Sequence, residues 1–367
     1  MKNNFLIFLF IFILISKTVF ANQFIFETTE IEFADNGDYI YATDGKAFSA
    51  DKNLEINAKS FEYSKNLKLL KAANGVAFIK SDNLKIEFNK IELDELNSMV
   101  IAKDDVKIYD EKNKIFIESD LIIYNRNSGI IESPLKSIFK DKFQNIITTE
   151  KFHYNINANL LKIENAILED SQDNDFEIEL AYIDTELNEL VGKDVIINLN
   201  NESFEPDNEP RLKGNSIVYD DNFTQVDRGV FTTCKKTGKC PPWKLTAEKI
   251  THDKKKKVIS YKNAWLNVYD VPVIYFPKFF HPDPTVKRRS GFLIPSFQST
   301  KGGSSLNIPY FHVVSDNKDF TLSPRLYTGE KILLQTEYRQ VNLNSTQISD
   351  FSFFKEADKN SKNHFFY

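Results

Sequence analysis

The sequence predicts an all-β protein, a stack of two-strand repeats of about 31 residues followed by a group of longer strands. Three observations carry this. An apolar anchor returns at Ile56, Ile86, Ile117, Ile147, Ile178, Leu212 and Leu245, with spacings of 30, 31, 30, 31, 34 and 33. Around each anchor the positions n, n+2, n+5 and n+7 alternate with period two on either side of a one-residue slip, which a bent strand produces and a helix does not. The composition agrees: 32 Phe and 15 Tyr beside 12 Gly and 12 Pro, in 367 residues that are 41% hydrophobic, favour strands and supply two or three packed units.

Charge narrows the partners. Lys+Arg 47 against Asp+Glu 52 leaves a net charge of -5 with the signs interspersed, so nucleic acid is excluded as a partner. Two Cys and five His provide no multi-ligand metal pattern. The nucleophile elbow, the P-loop and the dinucleotide fingerprint are all absent, and the expectation is a protein that is not an enzyme.

In chain order, residues 1–21 read as a cleaved export signal: Lys2, an apolar run from Phe5 to Ile15, then Val19-Phe20-Ala21. The run is about half of the ~20 residues a spanning helix needs. Residues 22–270 hold the repeats. Each starts with a bent strand, turns at a polar tip such as Ser64-Lys65-Asn66 or Arg126-Asn127-Ser128, and returns along a second strand such as Ala72–Ile79, Leu160–Leu168 or Val258–Val268. A lone hairpin cannot bury one face, so the units must stack around a shared apolar interior. Pro206 and Pro210 predict an irregular stretch near Asn200 to Arg211.

Residues 271–290 read as a junction, because Val271 to Pro277 and His281 to Pro284 are too rich in proline for central strands and Lys287-Arg288-Arg289 concentrates positive charge. Residues 291–367 resume alternation over Ser304–Ser315, Asp319–Thr328, Lys331–Asn342 and Ser345–Phe354. Such strands suit an outer-membrane β-barrel crossing ~25 Å of apolar band, although a soluble sandwich shares the pattern. A closed barrel needs at least ~8 strands. The expectation is therefore the beginning of a barrel, incomplete in this sequence.

The motifs Phe231-Thr-Thr-Cys234, Pro242-Trp243-Lys-Leu-Thr-Ala247, Val271-Pro-Val-Ile-Tyr275 and Lys287-Arg-Arg-Ser-Gly-Phe-Leu-Ile-Pro295 closely resemble those of the LptD family of lipopolysaccharide-assembly proteins, also called OstA or organic solvent tolerance proteins. The resemblance implies an N-terminal periplasmic OstA-like β-jellyroll, open along one seam, joined to a transmembrane β-barrel in the outer membrane. It implies lipopolysaccharide as cargo, an LptE-like plug lipoprotein in the barrel, and a periplasmic LptA-like bridge protein joined by strand addition. It implies no cofactor. The sequence departs from the family in lacking a Cys near the mature N-terminus and a C-terminal Cys pair.

Under this resemblance Leu54, Ile56, Ile86, Phe88, Ile117, Ile147, Ile178 and Leu180 become lipid-groove candidates, since acyl chains are excluded from water at ~0.8 kcal/mol per methylene. Plain core packing predicts the same alternation. A glutamate at Ile86 is expected to stop lipid contact without unfolding the domain. Lys287, Arg288 and Arg289 are candidates for lipid phosphates or for anchoring at the membrane junction. Lys254 to Lys257 fall at a tip, where a solvated turn is the default. Cys234 and Cys240 are close enough in sequence for a local disulfide, with a more distant partner or a metal site including His252 as alternatives. Other readings are a soluble periplasmic bridge protein of the same fold, a structural β-solenoid, and a glycosidase with carboxylates drawn from distant repeats.

Overall fold

A computed structural model describes residues 24–200, 207–236, 241–283, 285–286, 288–300, 303–356 and 361–366. The export signal lies outside them. The protein is all-β, built from long antiparallel sheets, and divides into two compact units, residues 1–280 and 281–367.

Alternating apolar residues make the first unit one meander. Its strands are β1 (Ile25–Ala34), β2 (Tyr39–Phe48), β3 (Leu54–Ser64), β4 (Leu69–Ile79), β5 (Leu84–Asp94), β6 (Met99–Asp110), β7 (Ile115–Asn125), β8 (Ile130–Ser133) and β9 (Ser137–Lys140). They continue as β10 (Ile146–Asn155), β11 (Leu160–Glu169), β12 (Asp175–Asp184), β13 (Glu189–Asn198), β14 (Arg211–Tyr219), β15 (Phe223–Thr232), β16 (Trp243–Asp253), β17 (Val258–Val268) and β18 (Val271–Pro282). From β1 to β8 and from β9 to β17 each strand pairs antiparallel with the next. The short β8 and β9 act as one strand broken at Pro134, since both pair with β7 and both with β10.

The one-residue slip is a bend. Gly45 pairs with Ala58 and Thr43 with Ser60, while Asp44 between them adopts φ 43° and drops out of the ladder. Asn74, Asn165, Asp194 and Asn263 repeat this at φ 52°, 50°, 53° and 50° in their own strands. Asn and Asp tolerate the left-handed region because their short polar side chains bond locally, so the sequence places them where each strand must turn. In β6 the bend takes an extra residue, with Asp104 and Asp105 both at positive φ and the register shifting between Lys103 and Val106. Beside the bend Gly75 is required for space, as a Cβ there would meet the Asn57 carbonyl oxygen at 2.2 Å. The two halves of each bent strand face the same interior, and residues from both belong to one buried cluster running from Phe24 to Val226. A second cluster from Phe231 to Ala264 follows, with Leu199 and Leu212 packed against both.

The proline-rich stretch Val271–Pro282, expected not to form a central strand, is the last strand of the first sheet. It is extended and belongs to the same sheet, yet Val271, Val273, Ile274, Tyr275 and Phe280 are exposed. Of the stretch expected to be irregular near Asn200 to Arg211, residues 201–206 lie outside the described residues; β13 ends at Asn198 and β14 starts at Arg211.

The second unit contains β19 (Gly291–Phe292), β20 (Ser296–Thr300), β21 (Gly303–Asn307), β22 (Tyr310–Ser315), β23 (Lys318–Tyr327), β24 (Lys331–Asn342), β25 (Ser345–Glu356) and β26 (Lys362–Phe366). One correction concerns Ser304–Ser315, expected as a single strand. It divides into β21 and β22 at Ile308-Pro309, because Pro309 has no N–H to give the ladder.

Candidate functional site

The anchors form a continuous cross-strand row. Ala47 pairs with Ile56, Ile56 with Ala77, Ala77 with Ile86, Ile86 with Ile108, and Ile108 with Ile117. The row continues through Phe139, Ile147, Leu168, Phe176 and Ile197, then Leu212, Phe231, Leu245 and Leu266. At ~4.8 Å per strand it makes an apolar spine roughly 65 Å long. Residues facing it across the bend, such as Phe61, Ile91, Ile122 and Phe152, are buried as well. Small and large side chains alternate only at the start of the row, Ala47 and Ala77 against Ile56 and Ile86, and from Ile86 onward every member is large.

Leu54, Ile56, Ile86, Phe88, Ile117, Ile147 and Ile178 are all buried in this interior. Two positions need correction. Pairing puts Phe176 in the spine, so the fifth anchor is two residues earlier than Ile178, which occupies the next inward position. Leu180 is only half-buried and pairs with Glu164 and Lys193, while Ala181 takes the inward place. The periodicity misaligned this repeat because the interval from Ile147 to Phe176 is 29 residues, shorter than the preceding 30 and 31.

Sequence reading missed the rims of the sheet. Tips after β3, β5, β7, β10 and β12 form one rim, and tips after β2, β4, β6, β9 and β11 the other. In a flat sheet they would stand a strand length apart, ~33 Å for ten residues. Here they meet. The Tyr124 hydroxyl donates to Asp82 at 2.5 Å, and the Tyr154 hydroxyl donates to Asp110 at 2.9 Å while accepting from Asn113 at 3.0 Å. Further along, the Asn145 amide donates to the Asn188 side-chain oxygen at 3.2 Å. The tips are preorganised, as Asp110 holds Asn113, Asp141 holds Asn145 and Asp170 holds Asn174 through Asx-type bonds. The signal was present in sequence: an Asp followed closely by Asn recurs near 51, 82, 110, 141 and 170.

Burial, with the Glu95 carboxylate second, pushes the Tyr63 hydroxyl up to about 12, and burial beside Asp170 pushes Tyr219 up to about 12. Burial also raises Tyr124, helped by its bond to Asp82, and Tyr154, helped by the Asp110 charge. An unfolded tyrosine ionises near ~10. The folded form therefore keeps its protons while the unfolded form loses them, so stability that is complete below pH ~10 falls as pH rises through about 12 for Tyr63 and Tyr219. Absorbance titration at alkaline pH is expected to show these tyrosines ionising only as circular dichroism reports unfolding. Reversible ionisation of all 15 tyrosines near ~10 in a folded chain would contradict their placement.

Of the tip lysines, Lys255, Lys256 and Lys257 are exposed as in a solvated turn, and Lys254 alone differs. Lys254 lies over the Tyr219 ring at 3.6 Å and donates to the Asp220 carbonyl at 2.6 Å. Burial lowers its pKa, opposed by the nearby Asp170 charge. Cys234 is half-buried, unbridged among the described residues, with Sγ 3.6 Å from the Trp243 carbonyl oxygen; Cys240 lies outside the described residues. Lys287 also lies outside them, and Arg289 is exposed. Arg288 is held within the second unit by Asp319, a buried carboxylate that also accepts from Arg339 Nε at 2.8 Å.

Cross-strand partners share a face, so the pairings sort the second unit into two faces. Phe292, Tyr310, Leu322, Phe320, Leu326, Ile332, Leu334, Phe351 and Phe353 fall on one. Asp319, Thr321, Ser323, Arg325, Gln335, Glu337, Arg339, Asp350 and Ser352 fall on the other, together with Phe311, Val313, Tyr327, Leu333, Val341, Ile348 and Phe354. Phe292, Leu326, Ile332 and Phe351 on the apolar face are exposed. A concavity of about 490 Å³ opens among Thr321, Ser323, Gln335, Glu337, Asp350 and Ser352, with Phe351 and Phe366 also in its lining. A soluble sandwich does the reverse, turning its apolar face inward.

A sequence profile of the LptD protein family matches residues 259–342, spanning β17, β18 and much of the second unit. The chain is 37% identical over 129 residues to the LPS-assembly protein LptD of Legionella pneumophila (strain Paris), covering 35% of this chain and 15% of that protein. It is 31% identical over 145 residues to the protein of that name from Ralstonia nicotianae, covering 38% and 18%, and 28% identical over 183 residues to that from Pseudomonas fluorescens, covering 47% and 19%. The matches thus span less than a fifth of each of these relatives. Residues 259–342 thus match the LptD protein family, and over part of its length the chain is similar to proteins named LPS-assembly protein LptD.

Proposed function

We propose that the protein takes part in lipopolysaccharide assembly at the outer membrane, without catalysis. The first unit, a periplasmic jellyroll over residues 22–270, shelters acyl chains along its apolar spine. Residues 271–290 form the junction, and residues 291–367 contribute the first strands of a membrane barrel. The observation that carries this reading is the pairing of opposites in one chain: a sheet with a continuous apolar interior, followed by a sheet with an exposed apolar face and a concavity lined mainly by polar side chains. An apolar trough needs no catalytic group to hold fatty tails, because exclusion from water supplies the affinity at ~0.8 kcal/mol per buried methylene.

Further partners follow from the family relation: an LptE-like lipoprotein inside the barrel, and an LptA-like bridge protein adding a strand to the stack. Cys234 and Cys240 are proposed as a disulfide, which an exported chain can keep. Lys287 and Arg289 are proposed as contacts for lipid phosphates, and Arg288 pairs with Asp319. The alternative of a wholly soluble bridge protein is separated by fractionation. The full chain is expected to sediment with outer membranes and resist alkaline extraction; recovery in the soluble periplasmic fraction would favour the bridge.

A further inference from the structure

We propose that the polar contacts between the two rims are a latch that controls access to the apolar interior. This rests on the reading of that interior as a lipid path. Each rim is laced along its own length by backbone bonds between successive tips. On one rim Glu95 N–H donates to Lys68 O at 3.1 Å, Arg126 N–H to Ser98 O at 2.9 Å and Ile156 N–H to Gly129 O at 3.0 Å. On the other, Lys80 N–H donates to Asn53 O at 2.8 Å and Glu111 N–H to Asn83 O at 3.1 Å. The bonds that join rim to rim are of another kind, running between side chains: Tyr124 to Asp82, Tyr154 to Asp110 and Asn113, Asn145 to Asn188. The seam can therefore part without breaking the strand pairing or the lacing of either rim.

What lies beneath the seam gives the parting a consequence. Ile86 and Ile117 are fully buried, so no acyl chain reaches the spine while the rims are joined. The bends supply the means of opening, because β2, β4, β6, β11, β13 and β17 each leave the ladder at a left-handed Asp or Asn between the two walls. Tyr124 and Tyr154 are suited to a reversible closure. Each ring is buried against the interior while its hydroxyl reaches the opposite rim, so one side chain contributes to both the apolar core and the polar clasp.

The test uses the full chain and a fluorescent long-chain fatty acid. Apparent affinity scales with the population of the open form. Tyr124→Phe with Tyr154→Phe removes the clasps and keeps the rings, and is expected to raise apparent affinity roughly tenfold. Asn145→Cys with Asn188→Cys, oxidised, is expected to abolish uptake, and reduction to restore it; the parent chain taken through the same oxidation controls for Cys234 and Cys240. Equal uptake by the parent, the Phe variant and the oxidised Cys variant would overturn the latch. Hydrogen exchange gives an independent reading on folded material: the ends of β7 and β10 are expected to exchange faster in the Phe variant while the β10–β11 ladder stays protected, and unchanged exchange at those ends would overturn it. The two ideas fail separately. Fatty-acid uptake that follows the seam, with no lipopolysaccharide adduct at the spine, keeps the latch and removes the transport reading. Lipopolysaccharide adducts that form equally in the oxidised and reduced Cys variant keep transport and remove the latch.

Discussion

Replacing Ile86 by glutamate is expected to unfold the stack. Ile86 is 0% exposed, paired between Ala77 and Ile108 in the middle of the spine. The substitution loses ~1.5–3 kcal/mol of apolar burial and places a carboxylate among side chains that offer it no donor, at a further cost of several kcal/mol. The sum is comparable with the whole ~5–15 kcal/mol stability of an ordinary domain. The expectation that such a charge would block lipid contact and leave the fold intact is therefore corrected by the packing. Thermal unfolding followed by circular dichroism checks this, with Glu87→Gln on the outward face as the control. A cooperative transition at the parent temperature would mean that the interior is hydrated.

Asp319→Ala is expected to give the largest effect in the second unit. The carboxylate is 6% exposed and holds Arg288 and Arg339 together, so its removal leaves two guanidinium groups facing one vacated position. Breaking a buried ion pair costs ~3–5 kcal/mol. Both arginines are partly exposed and Arg339 keeps Glu337 at 3.4 Å, which reduces the expected loss to roughly 1–3 kcal/mol. Adding Arg288→Ala should then cost less than it does in the parent, because the group left without a partner has gone. Denaturant titration of the single and double variants in detergent checks this; strictly additive losses would place Arg288 and Asp319 outside a shared network.

The repeats were legible because a buried strand face imposes period two and stacking imposes the interval of about 31. The bends were legible as slips. The residues that make them, Asp44, Asn74, Asn165 and Asp194, become recognisable only when pairing shows them leaving the ladder. The spine was read correctly at Ile56, Ile86, Ile117 and Ile147 and lost its register at Ile178, where the interval shortens to 29 and spacing no longer encodes pairing. Contacts across the rims were not legible from spacing. Tyr124 and Asp82 lie 42 positions apart, and only the bending of every strand in between brings them together. Arg288 had a free charge in sequence and acquired Asp319 through the curvature of a second sheet. Local alternation thus reaches the packing of neighbours, whereas polar partners depend on the folded path.

Photoreactive side chains placed one at a time at Ile56, Ile86, Ile117 and Ile147, each matched with an outward neighbour such as Glu118, test the conduit most directly in cells making lipopolysaccharide. The account predicts lipopolysaccharide adducts at every inward position and none at the outward ones. Folded protein yielding adducts only on outward side chains, or none at all, would contradict it.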